Sequence, residues 1–467
     1  MSRVLWLVCL LMALAPAAQA QRAEKYSKRL KSFIVADQPL LLIRNARLWD
    51  GTGAIARDGQ DMLIRDGQIA AIGPHLEEAS GAKVIDAAGK TLMPGLVMVH
   101  EHLDTGAPRD RMTNYSDQYV PQVMLAYGTT TARTAGSFDM EGDLFLKRWI
   151  DAGRLPGPDL DVSVYINGPF ELRMLSPVND KAGARREIAY WNEHGATSVK
   201  LFFDTTPEIA RAAIDEGHRR GMNVAAHLCA TFAATGARLG VDTIEHSTIS
   251  MYDLVPGSTE GECDLVPRQV AMFKSNAGMD PQGPEVGTVL KALLDNHVAI
   301  TPTLGISEER CRPKSAPPPR ELALLAKFDA ENVGICPDGL TPEIGDRSAR
   351  FQAAVAVRFL RMGGTLLAGT DVGAVPGAMG PRELELLVAA GMTAREALLA
   401  ATRDGAIKLR RAKNVGTLEV GKRADFLLVD GKPDQSISDI RKLRAVAKDG
   451  IVYDPEKLYE DARGKLD

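Results

Sequence analysis

Eight short apolar runs, most of them separated by stretches of helical spacing, occupy the middle of the chain from about Pro94 to Leu409. They are "GLVMVHEHL" at 95, "TTTART" at 129, "DVSVYIN" at 161, "TSVKLFF" at 197, "NVAAHL" at 223, "DTIEHS" at 242, "VAITPTL" at 298 and "TLLAGTD" at 365. Between them, "PEIARAAIDEGHRRG" from Pro207 repeats apolar residues at helical intervals. Eight β/α units in about 300 residues match the arithmetic of a (β/α)8 barrel. A doubly wound open sheet is the alternative, but no GxGxxG follows the first run. The expected class is therefore α/β, with a TIM barrel over residues 94–409.

The ends of the chain read differently. From Leu40 the sequence alternates apolar and polar residues around "RDGQ" at Arg65 to Gln68, and "ADFLLVDG" from Ala424 and "AVAKDGIVY" from Ala445 repeat the style. Asp-Gly between such runs is a hairpin signal. Two β-rich ends predict a small β-sandwich shared by residues 35–93 and 410–467, with the barrel inserted between them.

Residues 1–20, "MSRVLWLVCLLMALAPAAQA", carry Arg3, an apolar run from Val4 to Ala15, and small residues at Ala18 and Ala20. This pattern predicts a secretory signal peptide cleaved near Ala20, hence an exported protein, periplasmic or secreted. The run is too short for a comfortable transmembrane span, so no stable membrane insertion is expected after cleavage. A formal charge of -4 over 467 residues, with no long block of like charge, argues against nucleic acid and for a small-molecule partner. Whether the protein forms a homo-oligomer is left open.

Of the remaining cysteines, Cys229 reads as a free, packed residue, and a disulfide is expected among Cys263, Cys311 and Cys336. The interval 250–365 contains "SAPPPRE" and is longer than a simple connection. It is either a contributor to substrate selectivity or an inert excursion.

Chemistry in a barrel is expected at the C-terminal ends of the strands. The runs place there His100 and His102 (first), Lys200 (fourth), His227 (fifth), His246 (sixth) and Asp371 (eighth). In a strand, His100 and His102 share one face while Glu101 takes the other. Each alone has an ordinary structural reading, but a lysine inside an apolar strand is costly unless neutral or paired. Together they point to a metal site. His75, His194, His218 and His297 fall in the sandwich, in helical patterns or before a strand, and are assigned no catalytic role.

The segments "MPGLVMVHEHL", "GATSVKLF", "AAHLCA", "GVDTIEHS", "LLAGTDVG" and "GTLEVGKRADFLLVDG" resemble, in order, signatures of the amidohydrolase superfamily, specifically its imidazolonepropionase-like and prolidase-like branch. The resemblance implies that His100, His102 and Asp371 hold one divalent ion, and His227 and His246 a second. Lys200, carbamylated by carbon dioxide, would bridge the pair. Zinc suits such donors, as would manganese, cobalt or iron. The resemblance further implies attack of a metal-bridging hydroxide on an amide or peptide-like C–N bond, with Asp371 as general base and then acid. A dipeptide is the most concrete substrate. Lactone or phosphotriester hydrolysis, a mononuclear deacetylase or deaminase, and a non-catalytic scaffold are the alternatives. Arg133, Arg173 and Arg382 are the candidate substrate-binding residues, each able to hold a carboxylate.

Overall fold

The computed structural model describes residues 25–103, 118–168, 177–309, 317–326, 336, 338–371 and 375–466. The expected leader, Arg173 and Cys311 lie outside them. Among the described residues no helix is long and apolar enough to cross a membrane.

The chain is α/β with mixed sheets. Seven of the eight inner runs form strands: Leu96–Glu101, Thr129–Thr134, a third in two pieces (Asp159–Asp161 and Ser163–Ile166), Ser198–Leu201, Asn223–Ala226, Thr243–Glu245 and Ala299–Thr301. Neighbours pair in parallel, the first three pieces in one sheet and the rest in another. Most of these strands are buried along their whole length, as expected when helices cover one face and packed side chains the other.

The eighth run contributes a single bridge, Leu366 to Ile300, rather than a named strand. Its backbone nevertheless bonds on both sides. Leu367 N–H donates to Ile300 O at 2.9 Å, and Val99 N–H donates to Ala368 O at 2.8 Å. Thr370 N–H donates to His100 O at 2.9 Å. Gly369 permits this approach, because a Cβ there would fall 2.4 Å from that of His100. Asp371 is thereby delivered beside the first strand.

Helices follow the strands in the anticipated rhythm. Pro207–Arg219 begins with proline at its first turn and turns Ile209, Ala213 and Ile214 inward, as the spacing in that stretch predicts. The interval after the sixth strand holds Leu265–Gly278 and Pro284–Asp295, and Pro342–Arg361 follows the seventh.

The two ends of the chain meet in one nine-stranded sheet. Phe426–Asp430 pairs antiparallel with Lys90–Pro94 on one side and Leu443–Lys448 on the other. Leu41, Met62, Leu92, Phe426 and Val452 form its own buried cluster. The Asp-Gly pairs occupy the tight turns, with Asp66 and Gly67 at φ 50° and 82°, and Asp449 and Gly450 at 55° and 73°.

Cys229 is not free, contrary to the expectation above. It is disulfide-bonded to Cys263, with a Cα separation of 5.6 Å. The chain past the fifth strand and the segment after the sixth lie side by side, with Gly261 N–H donating to Ala230 O at 2.7 Å. That proximity is a product of tertiary folding and has no trace in the spacing of 34 residues. Cys336 is also disulfide-bonded.

Candidate metal centre

His100 and His102 lie at the end of the first strand and are almost wholly buried. Asp371 arrives from the eighth run with a left-handed backbone, φ 57°. Its Oδ1 lies 3.1 Å from His100 Nε2 and 3.2 Å from His102 Nε2. Among the described residues these three form a compact donor set, with all candidate ligand atoms within 4.8 Å of one another.

The second nitrogen of His100 explains why this set suits a cation. His100 Nδ1 makes a short contact with the buried carboxylate of Glu245, which accepts its proton. His100 Nε2 is then left with a lone pair aimed at another acceptor, Asp371 Oδ1. Two imidazole nitrogens and a carboxylate oxygen facing one another need a proton or a metal ion between them. Zn–N and Zn–O bonds of about 2.0–2.2 Å at tetrahedral angles put ligand atoms about 3.3–3.6 Å apart, a little beyond the 3.1 and 3.2 Å observed. These residues could hold a metal.

Glu245 is fully buried and is in turn held by Arg133 Nη2 at 2.6 Å and Thr243 Oγ1 at 3.0 Å. Burial would raise its carboxyl, but Arg133, His100 and Lys200 together keep it well below the usual carboxylate range. A carboxylate fixing the outer nitrogen of a ligating histidine is a recurrent support of metal sites. The placement also redirects the expectation for Arg133. Its guanidinium is wholly buried, with Nη1 donating to Asn223 Oδ1 at 2.9 Å, so it braces Glu245 from inside instead of meeting a substrate carboxylate. Arg382 is half-buried on helix Gly380–Ala389, 3.5 Å from Glu385.

The other three candidates surround the set. His246 ends the sixth strand in a left-handed turn, φ 61°, with Ser247 at 49°. That reversal breaks the strand's alternation, so consecutive Glu245 and His246 both reach His100, the ring centroids of the two histidines being 4.6 Å apart. His246 Nδ1 meets Thr303 Oγ1 at 2.7 Å, and that hydroxyl donates onward to Pro302 O at 2.8 Å. Nδ1 therefore carries the proton and Nε2 the lone pair. Burial holds the His246 imidazole well below its usual pKa, against the opposing pull of Asp371, so the ring is neutral. His227 stacks edge-on against it with centroids 4.3 Å apart. Lys200 is buried, and burial brings its amine down to about 8 against the pull of Glu245 and Asp371.

Sequence reasoning passed over three supporting residues. Glu245 sits immediately before His246, where regular strand alternation puts it on the opposite face. Gln352, 1% exposed on helix Pro342–Arg361, donates to both His246 O (2.9 Å) and Pro302 O (2.8 Å), tying the turn at His246 to a second left-handed residue, Thr303 at φ 47°. Glu101, on the far face of the first strand, accepts from Thr370 Oγ1 at 2.6 Å and so steadies the residue before Asp371. Burial raises the Glu101 carboxyl to about 7. Only Glu101 had a signal, a charged residue between two histidines in an apolar run. Of the excluded histidines, His75, His194 and His297 are exposed, and His218 pairs with Asp242 at the opposite end of the sixth strand.

The amidohydrolase family model matches residues 91–455, most of the chain and all of the centre. The chain belongs to the amidohydrolase family. This amidohydrolase is 38% identical to an imidazolonepropionase of Syntrophobacter fumaroxidans over 117 residues, 24% of this chain and 26% of that protein. The aligned part thus spans about a quarter of that relative. Among solved structures, a Xaa-Pro dipeptidase with bound methionine in its active site aligns with TM-score 0.66 and 20% identity, covering 89% of this chain and all of the other. A putative prolidase from Bifidobacterium longum aligns with TM-score 0.64 and 25% identity over 92% and 99% of the two chains. These neighbours imply a TIM-barrel-like α/β fold for the amidohydrolase.

Proposed function

We propose that the chain is an exported, binuclear metal-dependent hydrolase that cleaves a C–N bond, amide or peptide-like, in a small molecule such as a dipeptide. The observation that carries this reading is the convergence of His100, His102 and Asp371 on one point, with His100 oriented by buried Glu245. Family membership and the prolidase-like neighbours support C–N hydrolysis. In this reading the eight inner runs form a (β/α)8 barrel over residues 94–409, capped by a β-sandwich from residues 35–93 and 410–467. Residues 1–20 are the export signal.

His100, His102 and Asp371 would hold one ion and His227 and His246 the second, with Lys200, as a carbamate, supplying an anionic oxygen ligand to both. Bound divalent ions, most simply zinc, supply a Lewis acid for the scissile carbonyl and an activated water. The protein's own residues do the rest. Burial lowers the Lys200 amine to about 8, which exposes a nucleophilic neutral nitrogen. That nitrogen bonds to the carbon of CO2 and loses a proton, turning a buried cation into an anionic oxygen ligand. The Asp371 carboxylate would be kept ionised despite burial by a divalent ion held beside it. It can therefore accept the water's proton and return it to the leaving amine.

A mononuclear centre is the second reading, because among the described residues the compact donor set contains His100, His102 and Asp371 alone. Metal content separates the two. Protein purified with zinc and bicarbonate should carry close to two ions per chain, and Lys200→Ala clearly fewer. One ion in both would remove the bridge and select the mononuclear centre.

A further inference from the structure

The residues around the centre are divided by chemistry. From the sixth, seventh and eighth runs come Glu245, His246, Thr303 and Asp371, all polar and hydrogen-bonded. The sector between His102 and His227 is filled by rings from the ends of the second, third and fourth strands. Phe138 stacks on His102, with centroids 5.5 Å apart and planes 22° from parallel. Tyr165 lies 5.3 Å from Phe138, Phe202 4.9 Å from Tyr165, and Phe203 3.9 Å from Phe202. The row ends where Phe203 meets His227 at 4.2 Å. An unbroken aromatic arc thus joins one histidine of the centre to another.

Two features distinguish this arc from ordinary core packing. Phe138, Phe202 and Phe203 are only half-buried, although the histidines they touch are almost wholly buried. Each of these phenylalanines therefore keeps part of its surface exposed. The backbone also makes room for the arc. Gly136 has φ 106°, and a Cβ there would fall 2.2 Å from the Tyr165 ring and 3.1 Å from Lys200 Cγ. Only glycine lets the ring and the lysine stem lie this close to the chain.

We propose that Phe138, Tyr165, Phe202 and Phe203 form the wall against which the substrate lies, and that the substrate carries an apolar or ring-bearing side chain beside the scissile bond. This rests on the hydrolase reading above and names its substrate class. Ring faces are electronegative, so they welcome apolar groups and edge-on rings and repel a carboxylate, while divalent ions in the centre would repel an ammonium. A side chain laid on the arc leaves the scissile group to the polar sector, where Asp371 waits. The division between sectors thus orients the substrate as well as selecting it. Discrimination of about tenfold to a hundredfold is the scale for such a pocket.

The test uses zinc-loaded wild type, Phe138→Ala and Phe203→Ala, with metal content measured on each. Turnover is compared on Phe-Ala, Leu-Ala, Asp-Ala and Lys-Ala and on the reversed dipeptides. Calorimetry measures the binding of N-acetyl-phenylalanine and N-acetyl-aspartate to the same proteins. Wild type should favour the phenylalanine and leucine compounds by about tenfold or more, and each variant should lose about tenfold of that preference at unchanged metal content. Equal treatment of Phe and Asp compounds in both assays, or a preference for Lys, would overturn the proposal. So would variants that lose metal and all substrates alike, which would make the rings a brace for the histidines. If wild type cleaves no dipeptide yet binds the aromatic ligand preferentially in a manner abolished by Phe138→Ala, the wall stands and the peptide-cleaving reading falls.

Discussion

Two clusters of buried charge sit at opposite ends of the inner strands, and they are built on opposite plans. At the start of the third strand, Asp159 and Asp161 are closed off by arginines. Arg411 donates to Asp161 through Nε and Nη2, both at 2.7 Å, and to Asp159 through Nη1 at 2.6 Å. Arg423 adds a bond to Asp159 at 2.8 Å, and Thr197 one to Asp161 at 2.7 Å. Each carboxylate faces a donor. At the far end, Asp371 faces His102 Nε2 and His100 Nε2, and the proton of the latter ring is held on Nδ1 by Glu245. The first cluster is complete and joins Asp159 and Asp161 to arginines more than 200 residues away. The second is complete only with a cation.

That contrast predicts where each kind of damage will show. The largest effect is expected from Asp371→Asn, which removes the proton acceptor and an anionic ligand. Turnover should fall by about 10³ to 10⁴-fold, while the thermal midpoint stays near wild type or rises. Activity surviving with metal content intact would show that the proton moves by another route. Arg411→Met should do the reverse. Leaving Asp161 without its guanidinium partner should cost roughly 3 kcal/mol of stability, read by denaturant unfolding, with turnover per folded molecule unchanged. A matching loss of turnover would mean that the two clusters are coupled through the third strand.

A smaller effect should separate support from ligation. Gln352→Leu removes both donors that tie His246 O to Pro302 O, and metal affinity should weaken by about tenfold. Competition with a chelating dye reads this directly, and an unchanged affinity would demote Gln352 to a packing residue.

The mildest probe is acid. Asp159 is held below its usual pKa, because Arg411, Lys448 and Arg423 outweigh the effect of burial. A lowered folded-state pKa contributes stability that is complete above the unfolded value of about 3.9 and is lost as pH falls toward the folded one. The thermal midpoint should therefore drop more between pH 5 and pH 3 in wild type than in Asp159→Asn. Parallel curves would show that other groups dominate acid unfolding.

Much of this arrangement is legible in the chain because it follows from local rules. Short apolar runs buried on both faces declare themselves, and seven of the eight form strands. The eighth, "TLLAGTD", makes a single bridge, Leu366 to Ile300, although its backbone bonds to both neighbouring strands. The spacing of His100 and His102 follows from the twofold period of a strand, and the Asp-Gly hairpins from the φ values that those residues tolerate. The same period misleads at Glu245, where the left-handed His246 cancels the alternation. Asp-Gly pairs are a local signal; a partnership between residues 100 and 245 is not.

What the sequence by itself determined, then, is the succession of β and α elements, the β-rich character of the two ends, and which side chains stand at strand ends. Local periodicity and turn chemistry suffice for these, because each depends on neighbours within a few positions. Tertiary structure alone decided that Glu245 orients His100, that Arg133 faces inward, that Cys229 pairs with Cys263, and that four rings complete the circle from His102 to His227. Each of these depends on contacts between distant segments, and a contact of that kind exists only once packing has brought the segments together.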